Sequence, residues 1–352
     1  MAYSSIIKPT DYFDTKLYVG NGGAAGGTQT ITGVGFQPDW TWIKNRSTQE
    51  HHVLTDAVRG VNKQINTNRN NAELSLTTQL TAFTSDGFSV GVGSEVNGDG
   101  DNMVSWNWKA NGAGSANTDG AINSTVSVNT TSGVSIVSYT GTISSAGNTT
   151  VGHGLGVAPE VFITKSLSNA ENWGVYNKDL PSGYILQLNT SSAQINTSSE
   201  GTLTAPTSSV FTINYRGEWG NSGQNYIAYV FAPIKGFSKF GVYDGNGNAD
   251  GSFIYTGFKP GWIMLKQSSH AGNDWWMFDS KRLGYNPNNY LLRANIDNAE
   301  LTNTDIDLVS NGFKIRSTDG GINTSGNQYF YMAFAENPFV ANVDGGLPTT
   351  AR

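Results

Sequence analysis

The chain contains no cysteine and few charged residues, and both absences limit what kind of protein it can be. Among its 352 residues there is no Cys, which excludes a disulfide framework, a catalytic thiolate and a Cys-ligated metal. Charged side chains make up 14 % of the sequence, with a net charge of −6. Because lysine and arginine form no long cluster, the sequence lacks the counterion-release affinity used by nucleic-acid and anionic-membrane binders. We expect neither partner.

Long apolar runs and strong helix formers are scarce as well. No segment approaches the roughly 20 apolar residues of a membrane-spanning helix. The N-terminal stretch MAYSSIIKPTDYFD has no basic segment followed by an apolar core, so no secretory signal is expected. The 43 Gly, with many Asn, Ser, Thr and aromatic residues, are typical of short strands joined by tight turns. The sequence predicts an all-β protein.

What the sequence does contain is one pattern repeated three times. The segments GVGFQPDWTWIKNRS, GLGVAPEVFITKSLS and TGFKPGWIMLKQSS occur in that order. In each, a Gly lies three residues before a Pro and a Lys six residues after it; the lysines are Lys44, Lys165 and Lys266. Tyrosines upstream and a closing aromatic strand downstream keep the same order. Fixed-period self-similarity is the signature of repeated structural units, so we predict three tandem modules.

Each module is predicted to be an antiparallel β-sandwich of jelly-roll type. The run after each Pro is apolar on both faces, as in a central strand covered twice. The closing strands SWNWKA and AYVFAP instead place aromatic residues on one face, by the period of two. The repeat phase gives a first module at 1–110, a Gly/Ser/Asn/Thr-rich linker at 111–132, further modules at 133–235 and 236–341, and a C-terminal tail at 342–352.

The same strings resemble a family of tail-fibre-like virion surface proteins from marine bacteriophages, which carry tandem GFQPDWxWIK-type repeats. The matching stretches are Tyr18–Ser47, Gly154–Lys165 and Gly236–Lys266. The resemblance implies a virion structural protein, either a tail fibre or adhesin or a capsid fibre or decoration protein, assembled in the host cytoplasm. It also implies other virion proteins as partners, a homo-oligomer such as a trimer, and a host-surface glycan as ligand. It carries over no catalytic residue.

The residues themselves give little support for catalysis. The His-Glu-x-x-His pattern of zinc enzymes is absent. Acidic residues such as Glu95, Glu200 and Glu218 show no repeated spacing that would select a pair for glycan hydrolysis. We expect a protein that is not an enzyme. A glycan-cleaving tail spike and a carbohydrate-binding module array without a virion role are the alternatives.

Two kinds of residue are candidates for ligand binding. A loop tryptophan can stack on a sugar or anchor a partner chain, although packing in the core is the competing interpretation; the candidates are Trp173, Trp219, Trp275 and Trp276. Acidic Gly-rich turns offer the oxygen ligands that Ca²⁺ prefers, although ordinary tight turns use the same residues; the candidates are Asn97, Asp99, Asp101, Asp244, Asn246 and Asp250. No other cofactor is expected.

Overall fold

The computed structural model describes residues 4–23, 27–282 and 286–338, without the side chains of Asn289 and Thr304, and its regular structure is nearly all β, as predicted. The predicted tail at 342–352 lies outside the described residues. Within the described part, no helix is long and apolar enough to cross a membrane. The helices there are the one-turn α1 (Ser94–Asn97) and α2 (Gly320–Asn323) and the 3-10 turns Pro9–Asp11 and Ser198–Glu200.

Residues 4–110, here called the first unit, contribute nine strands within their described part. They are β1 (Phe13–Val19), β2 (Gln29–Thr32), β3 (Trp40–Asn45), β4 (Val53–Asp56), β5 (Lys63–Gln64), β6 (Leu74–Ser75), β7 (Leu80–Thr84), β8 (Gly87–Val90) and β9 (Asn102–Trp108). One sheet has the order β1-β9-β3-β4, a second has the order β2-β8-β7, and β5 pairs with β6.

Residues 111–235, the second unit, form an eight-stranded sheet and a two-stranded sheet. The strands are β10 (Ser115–Asn117), β11 (Ser124–Asn129), β12 (Val134–Thr140), β13 (Asn148–Gly152), β14 (Val161–Ser166), β15 (Gly174–Asn177), β16 (Tyr184–Gln187), β17 (Ile195–Asn196), β18 (Val210–Asn214) and β19 (Asn225–Phe231). The larger sheet has the order β10-β11-β12-β19-β14-β15-β16-β17, and β13 pairs with β18.

The predicted linker at 111–132 is therefore wrong, because this segment contains two strands of the second unit. β11 pairs residue by residue with β12, and β10 with β11. Val126 in β11 lies opposite Val137 and is buried. The segment resembles a linker when only composition is considered, but Ser124 and Ser127 of β11 are buried in the strand.

Residues 236–338, the third unit, form a single eight-stranded sheet. Its strands are β20 (Ser238–Asp244), β21 (Phe253–Tyr255), β22 (Phe258–Gln267), β23 (Trp276–Asp279), β24 (Asn288–Arg293), β25 (Leu301–Val309), β26 (Gly312–Ile315) and β27 (Gln328–Pro338). The order is β20-β27-β22-β23-β24-β25-β26-β21.

One strand order recurs in all three units. It appears as β1-β9-β3-β4, as β12-β19-β14-β15 and as β20-β27-β22-β23. The strand after each repeated Pro is central, and β3 and β14 are buried along their whole length, as predicted. The Gly three residues before that Pro has a positive φ in each unit, 87° at Gly35, 73° at Gly156 and 85° at Gly257, a conformation that glycine adopts without a steric penalty.

The three units share one continuous hydrophobic core, which contains residues from all of them. The Trp40 ring of the first unit stacks on Tyr229 of the second at 4.3 Å between centroids. Trp108 of the first unit meets Trp262 and Phe334 of the third, each at 5.6 Å. The aromatic faces predicted from the period of two are therefore the surfaces through which the units pack. Smaller clusters fill the space within the first and second units.

The strands β1, β12 and β20 hold the same place in the recurring strand order, and each is protected from further pairing in one of two ways. β1 and β20 are edge strands and carry Lys16 and Lys239, and charged residues on an edge disfavour the addition of another strand. In the second unit β11 covers the equivalent strand, and the position that matches Lys16 is Val137, which is fully buried. Lysine is thus present where the edge is open and absent where it is covered.

Candidate functional site

The four tryptophans predicted to contact a glycan lie in the interior. Trp173, Trp219 and Trp275 are 0 % exposed and Trp276 is 2 % exposed. Stacking on a sugar requires an accessible ring face, so the ligand-binding prediction is wrong for these residues and the core interpretation holds. Trp219 is fixed by a 2.7 Å hydrogen bond from its Nε1 to Asn214 Oδ1.

Two of these tryptophans join neighbouring units through equivalent hydrogen bonds. Trp173 Nε1 of the second unit donates to the carbonyl oxygen of Asn66 in the first unit, at 2.9 Å. Trp275 Nε1 of the third unit donates to the carbonyl oxygen of Gln187 in the second unit, at 3.0 Å. Each ring therefore satisfies a buried carbonyl of the preceding unit, a role that explains why the residue recurs.

His52 makes the equivalent contact from the first unit to the third, so each of the three units donates one such hydrogen bond to another unit. It lies immediately before β4, as Trp173 lies before β15. Trp42 Nε1, which can only donate, is 2.9 Å from His52 Nδ1, so Nδ1 accepts and the proton is on Nε2. His52 Nε2 then donates to the carbonyl oxygen of Arg293 in the third unit, at 3.0 Å. Burial lowers the pKa of His52 well below its ordinary value and keeps the ring neutral.

A second set of contacts between units centres on buried carboxylates. At the end of β4, Asp56 Oδ2 accepts from Arg59 Nε at 2.5 Å and from the Tyr229 hydroxyl of the second unit at 2.9 Å. Arg59 is itself buried and also reaches Glu73 at 3.2 Å. Burial and the neighbouring Asp56 carboxylate raise the pKa of Tyr229 well above its ordinary value, so the hydroxyl remains a donor.

The third unit repeats this arrangement against the first. At the end of β23, Asp279 Oδ2 accepts from Arg282 Nε at 2.6 Å and from Trp106 Nε1 of the first unit at 3.0 Å. Arg282 Nη1 continues to Glu300 at 3.0 Å, and Glu300 forms a two-bond ion pair with Arg46 of the first unit. The contact between these units therefore contains a buried ionic network whose charges are all paired.

The second unit has neutral residues at the same positions. Asn177 ends β15 where the other units have Asp, and Leu180 lies three residues later in place of Arg. In the third unit, Met332 occupies the register position of Trp106 and Tyr229. A buried carboxylate without its cation would be strongly destabilising. The second unit avoids this penalty because it has neutral residues at both positions, Asn177 for the Asp and Leu180 for the Arg.

The repeated lysines have a structural role within each unit. All three are fully buried, and each ammonium donates to main-chain carbonyls near the end of its own strand: Lys44 to Asn45 at 2.6 Å, Lys165 to Ser166 at 2.7 Å, and Lys266 to Gln267 at 2.9 Å. Burial lowers the pKa of each lysine to about 8. The repeated Lys therefore fixes the loop that follows the central strand.

The lowered pKa of these three lysines predicts that the free energy of unfolding increases with pH over part of the alkaline range. Their pKa is about 8 in the folded chain against an ordinary 10.5, so between these values the unfolded chain binds more protons. The free energy of unfolding should then rise with pH, by at most about 1.4 kcal/mol per pH unit for each lysine. Buried tyrosines with a raised pKa, such as Tyr139, reverse the trend above about pH 10. Urea unfolding at about pH 8, 9 and 10 measures the slope.

The control for this prediction is Lys165→Met, which removes one of the three titrating groups. We expect the slope between about pH 8 and 10 to fall by roughly a third in this variant. A wild-type stability that declines steadily over the same interval would show that the buried lysines do not titrate there.

The first acidic turn predicted to bind Ca²⁺ is held by local hydrogen bonds. The side-chain Nδ2 of the buried Asn97 donates to the Gly91 carbonyl, and its Oδ1 accepts from the main-chain N–H of Asn21, both at 2.8 Å. Asp101 Oδ2 accepts from Asn45 Nδ2 at 2.8 Å, and Asp99 is exposed at the turn. The Asn97 amide thus ties two loops of the first unit together.

The second acidic turn is held in a similar way. The main-chain N–H of Asn246 donates to Asn323 Oδ1 at 2.9 Å. Asp250 forms an ion pair with Lys314 at 2.8 Å. The hydrogen bond from Lys314 lowers the pKa of Asp250. Asp244 precedes this turn and is exposed. Within residues 4–23, 27–282 and 286–338, no group of three His, Asp or Glu is placed to hold a metal ion.

Sequence reasoning missed a polar cleft of about 410 Å³ in the second unit, here called the Arg216 cleft, which is lined by Glu171, Asn172, Gln187, Glu200, Tyr215, Arg216, Gly217, Glu218 and Asn221. Arg216 donates Nη1 to Glu200 at 3.0 Å and Nη2 to Glu218 at 2.7 Å. Gln187 Nε2 also donates to Glu218, at 2.7 Å. No spacing in the sequence predicts this grouping, because its members come from a strand end, a 3-10 turn and loops that are far apart in the chain.

Two of the carboxylates in the Arg216 cleft are held in ion pairs with Arg216. A glycosidase needs one carboxylic acid that holds a proton and a second carboxylate as base or nucleophile. Both oxygens of Glu218 accept hydrogen bonds from Arg216, so both are already engaged in an ion pair within the chain. The half-exposed Tyr215 lies at the cleft. The arrangement can accept hydrogen bonds from hydroxyl groups.

Comparison with known proteins gives a match to one family. A family model described as a domain of unknown function (DUF7483) matches residues 8–338, a range that includes every strand named above. No curated protein and no solved structure matches the chain.

Proposed function

The chain belongs to the DUF7483 family, domains of unknown function, and we propose that it is a structural protein at the surface of a bacteriophage particle. The observation that carries the proposal is the cyclic contact between units: Trp173 and Trp275, first considered as ligand contacts, satisfy buried carbonyls of neighbouring units instead. The repeated residues build a rigid scaffold around a shared core. A scaffold of this kind suits an attachment or decoration protein.

The proposed location is the virion, after assembly in the host cytoplasm, with other virion proteins as partners. The role is that of a tail fibre or adhesin, or of a capsid fibre or decoration protein, with host-surface glycan as the ligand in the first case. A homo-oligomer, such as a trimer of chains, is part of the proposal. Two observations support the virion role. The sequence strings quoted above resemble those of virion proteins, and many of the repeated residues within the described part of the chain pack in the shared core.

Immunogold labelling of purified virions tests the proposal. Antibody raised against the purified chain is expected to label intact particles, at the tail or over the capsid, and to give no label on particles of an unrelated phage. The chain's presence in infected-cell lysate but not in purified particles would contradict a virion role. Blocked host adsorption of antibody-coated particles identifies an adhesin, and normal adsorption identifies a decoration protein.

The alternative from another class is a glycan-cleaving spike, and the Arg216 cleft is the place where such an activity would lie. Its three glutamates are the observation in favour, and the ion pairs from Arg216 to Glu200 and Glu218 count against it. Incubation of the chain with host polysaccharide is expected to release no new reducing ends. Release that disappears in Glu218→Gln would establish the enzyme instead.

A further inference from the structure

One strand of the third unit carries two exposed aromatic side chains. In β21, Phe253 is 47 % exposed and Tyr255 is 46 % exposed. They flank Ile254, which pairs with Phe313 as Ile31 pairs with Phe88 in the first unit. The first unit therefore has Thr30 and Thr32 at the same positions. By the period of two, Phe253 and Tyr255 lie on one face of β21 and form an exposed aromatic patch that the first unit lacks, and patches of this kind are where contacts with other molecules occur.

Tyr255 lies at a groove of about 350 Å³, here called the Tyr255 groove, whose lining includes Pro233, Lys235, Ser238, Lys239, Tyr255 and Thr256. Lys239 Nζ lies 5.4 Å from the centroid of the Tyr255 ring and donates to the Tyr255 carbonyl at 2.6 Å. The ammonium retains further N–H donors after this bond.

The groove is positively charged on a chain whose net charge is −6. Lys235 and Lys239 are the charged residues of the lining. Glu160, whose charge acts on Lys239, shares Lys178 with Asp179, at 3.6 Å and 2.9 Å, so this neighbouring group offsets part, but not all, of the positive charge of the two lysines. An anionic ligand would therefore be attracted here, whereas the three glutamates and one arginine of the Arg216 cleft would repel it.

We infer that the Tyr255 groove binds an acidic saccharide, with a sugar carboxylate near Lys235 and Lys239 and a sugar ring against Tyr255. Aromatic faces provide apolar area for the C–H face of a sugar, and lysine supplies a charge-assisted hydrogen bond to the carboxylate. This inference rests on the proposed function, because it names the class of host-surface glycan that an adhesin of this kind would contact.

Isothermal titration calorimetry of the full chain with a galacturonic acid hexamer tests the inference, with maltohexaose as the neutral probe. We expect the acidic hexamer to bind, to bind more weakly as salt is raised, and the neutral one to show no comparable affinity. Tyr255→Thr and Lys239→Gln are each expected to weaken binding about ten-fold. The control Val19→Thr changes an exposed apolar side chain at the end of β1, away from the lining of both the Tyr255 groove and the Arg216 cleft, and is expected to leave the affinity unchanged.

Threonine is chosen at position 255 because the first unit has Thr32 at the equivalent position. An unchanged midpoint of thermal unfolding verifies that the Tyr255→Thr variant is folded. No binding of the acidic hexamer would overturn the inference, as would equal binding of maltohexaose or an affinity that Tyr255→Thr does not alter. Virion labelling is independent of these outcomes. Labelled particles without saccharide binding would refute the groove alone, and unlabelled particles would refute the proposed function.

Discussion

Replacing Asp56 with Ala is expected to lower the free energy of unfolding by about 3–5 kcal/mol. The substitution leaves the buried Arg59 guanidinium without its 2.5 Å partner and the Tyr229 hydroxyl without its acceptor. Arg59 keeps Glu73 as a partner at 3.2 Å, but breaking a buried ion pair by removing one member is still among the largest single-site penalties in a folded protein. Urea unfolding followed by tryptophan fluorescence measures the change.

The second unit provides the matched control for this experiment. The triple variant Asp56→Asn, Arg59→Leu, Tyr229→Met copies the neutral contact between the second and third units. The residues at the equivalent positions there are Asn177, Leu180 and Met332. Glu73 keeps Lys63 as an ion-pair partner at 3.2 Å in this variant. We expect the triple variant to be more stable than Asp56→Ala alone. If it is no more stable, the neutral set does not substitute for the ionic one and the equivalence of the two contacts is refuted.

Trp173→Ala is expected to have an effect of similar size, about 3–5 kcal/mol. It removes a fully buried ring from the contact between the first two units and takes the 2.9 Å indole donor from the Asn66 carbonyl, which keeps a longer 3.4 Å bond from the Arg69 main-chain N–H. Trp173→Phe preserves most of the apolar volume and loses the N–H, so it should cost about 1–3 kcal/mol. Urea unfolding of both variants separates the packing contribution from that of the hydrogen bond.

Trp275→His is the control for the role of the ring nitrogen. His52 already makes the equivalent bond in the first unit, so a histidine at 275 can still donate to the Gln187 carbonyl. We expect it to be more stable than Trp275→Ala, although the smaller ring leaves a cavity. Unchanged stability in Trp173→Ala, with loss of a bound glycan, would instead restore the original interpretation of these tryptophans as ligand contacts.

The sequence was most informative where a side chain acts within its own strand or turn. The period of two placed Trp106 and Trp108 on one face, and that face meets the other units. The apolar runs after Pro38 and Pro159 correctly predicted central strands, because a strand covered twice leaves no polar face. The glycines before these prolines have the positive φ that the turn requires.

Contacts between units could not be predicted from the sequence. Trp173 appeared to be a loop residue because it precedes a short strand, but its partner Asn66 is 107 residues away. The Arg216 cleft and the Tyr255 groove consist of residues that the repeat does not share, so no periodic signal marks them. The strand β11 was mistaken for part of a linker because four of its six residues are Ser, Thr or Asn.

Differential scanning calorimetry tests the central claim, that the three units share one core and form one cooperative structure. The account predicts a single transition in which the calorimetric and van't Hoff enthalpies agree, and in which Asp56→Ala shifts the whole transition to lower temperature. Two or three resolved transitions, or a shift confined to one part of the trace, would contradict it by showing that the units unfold independently.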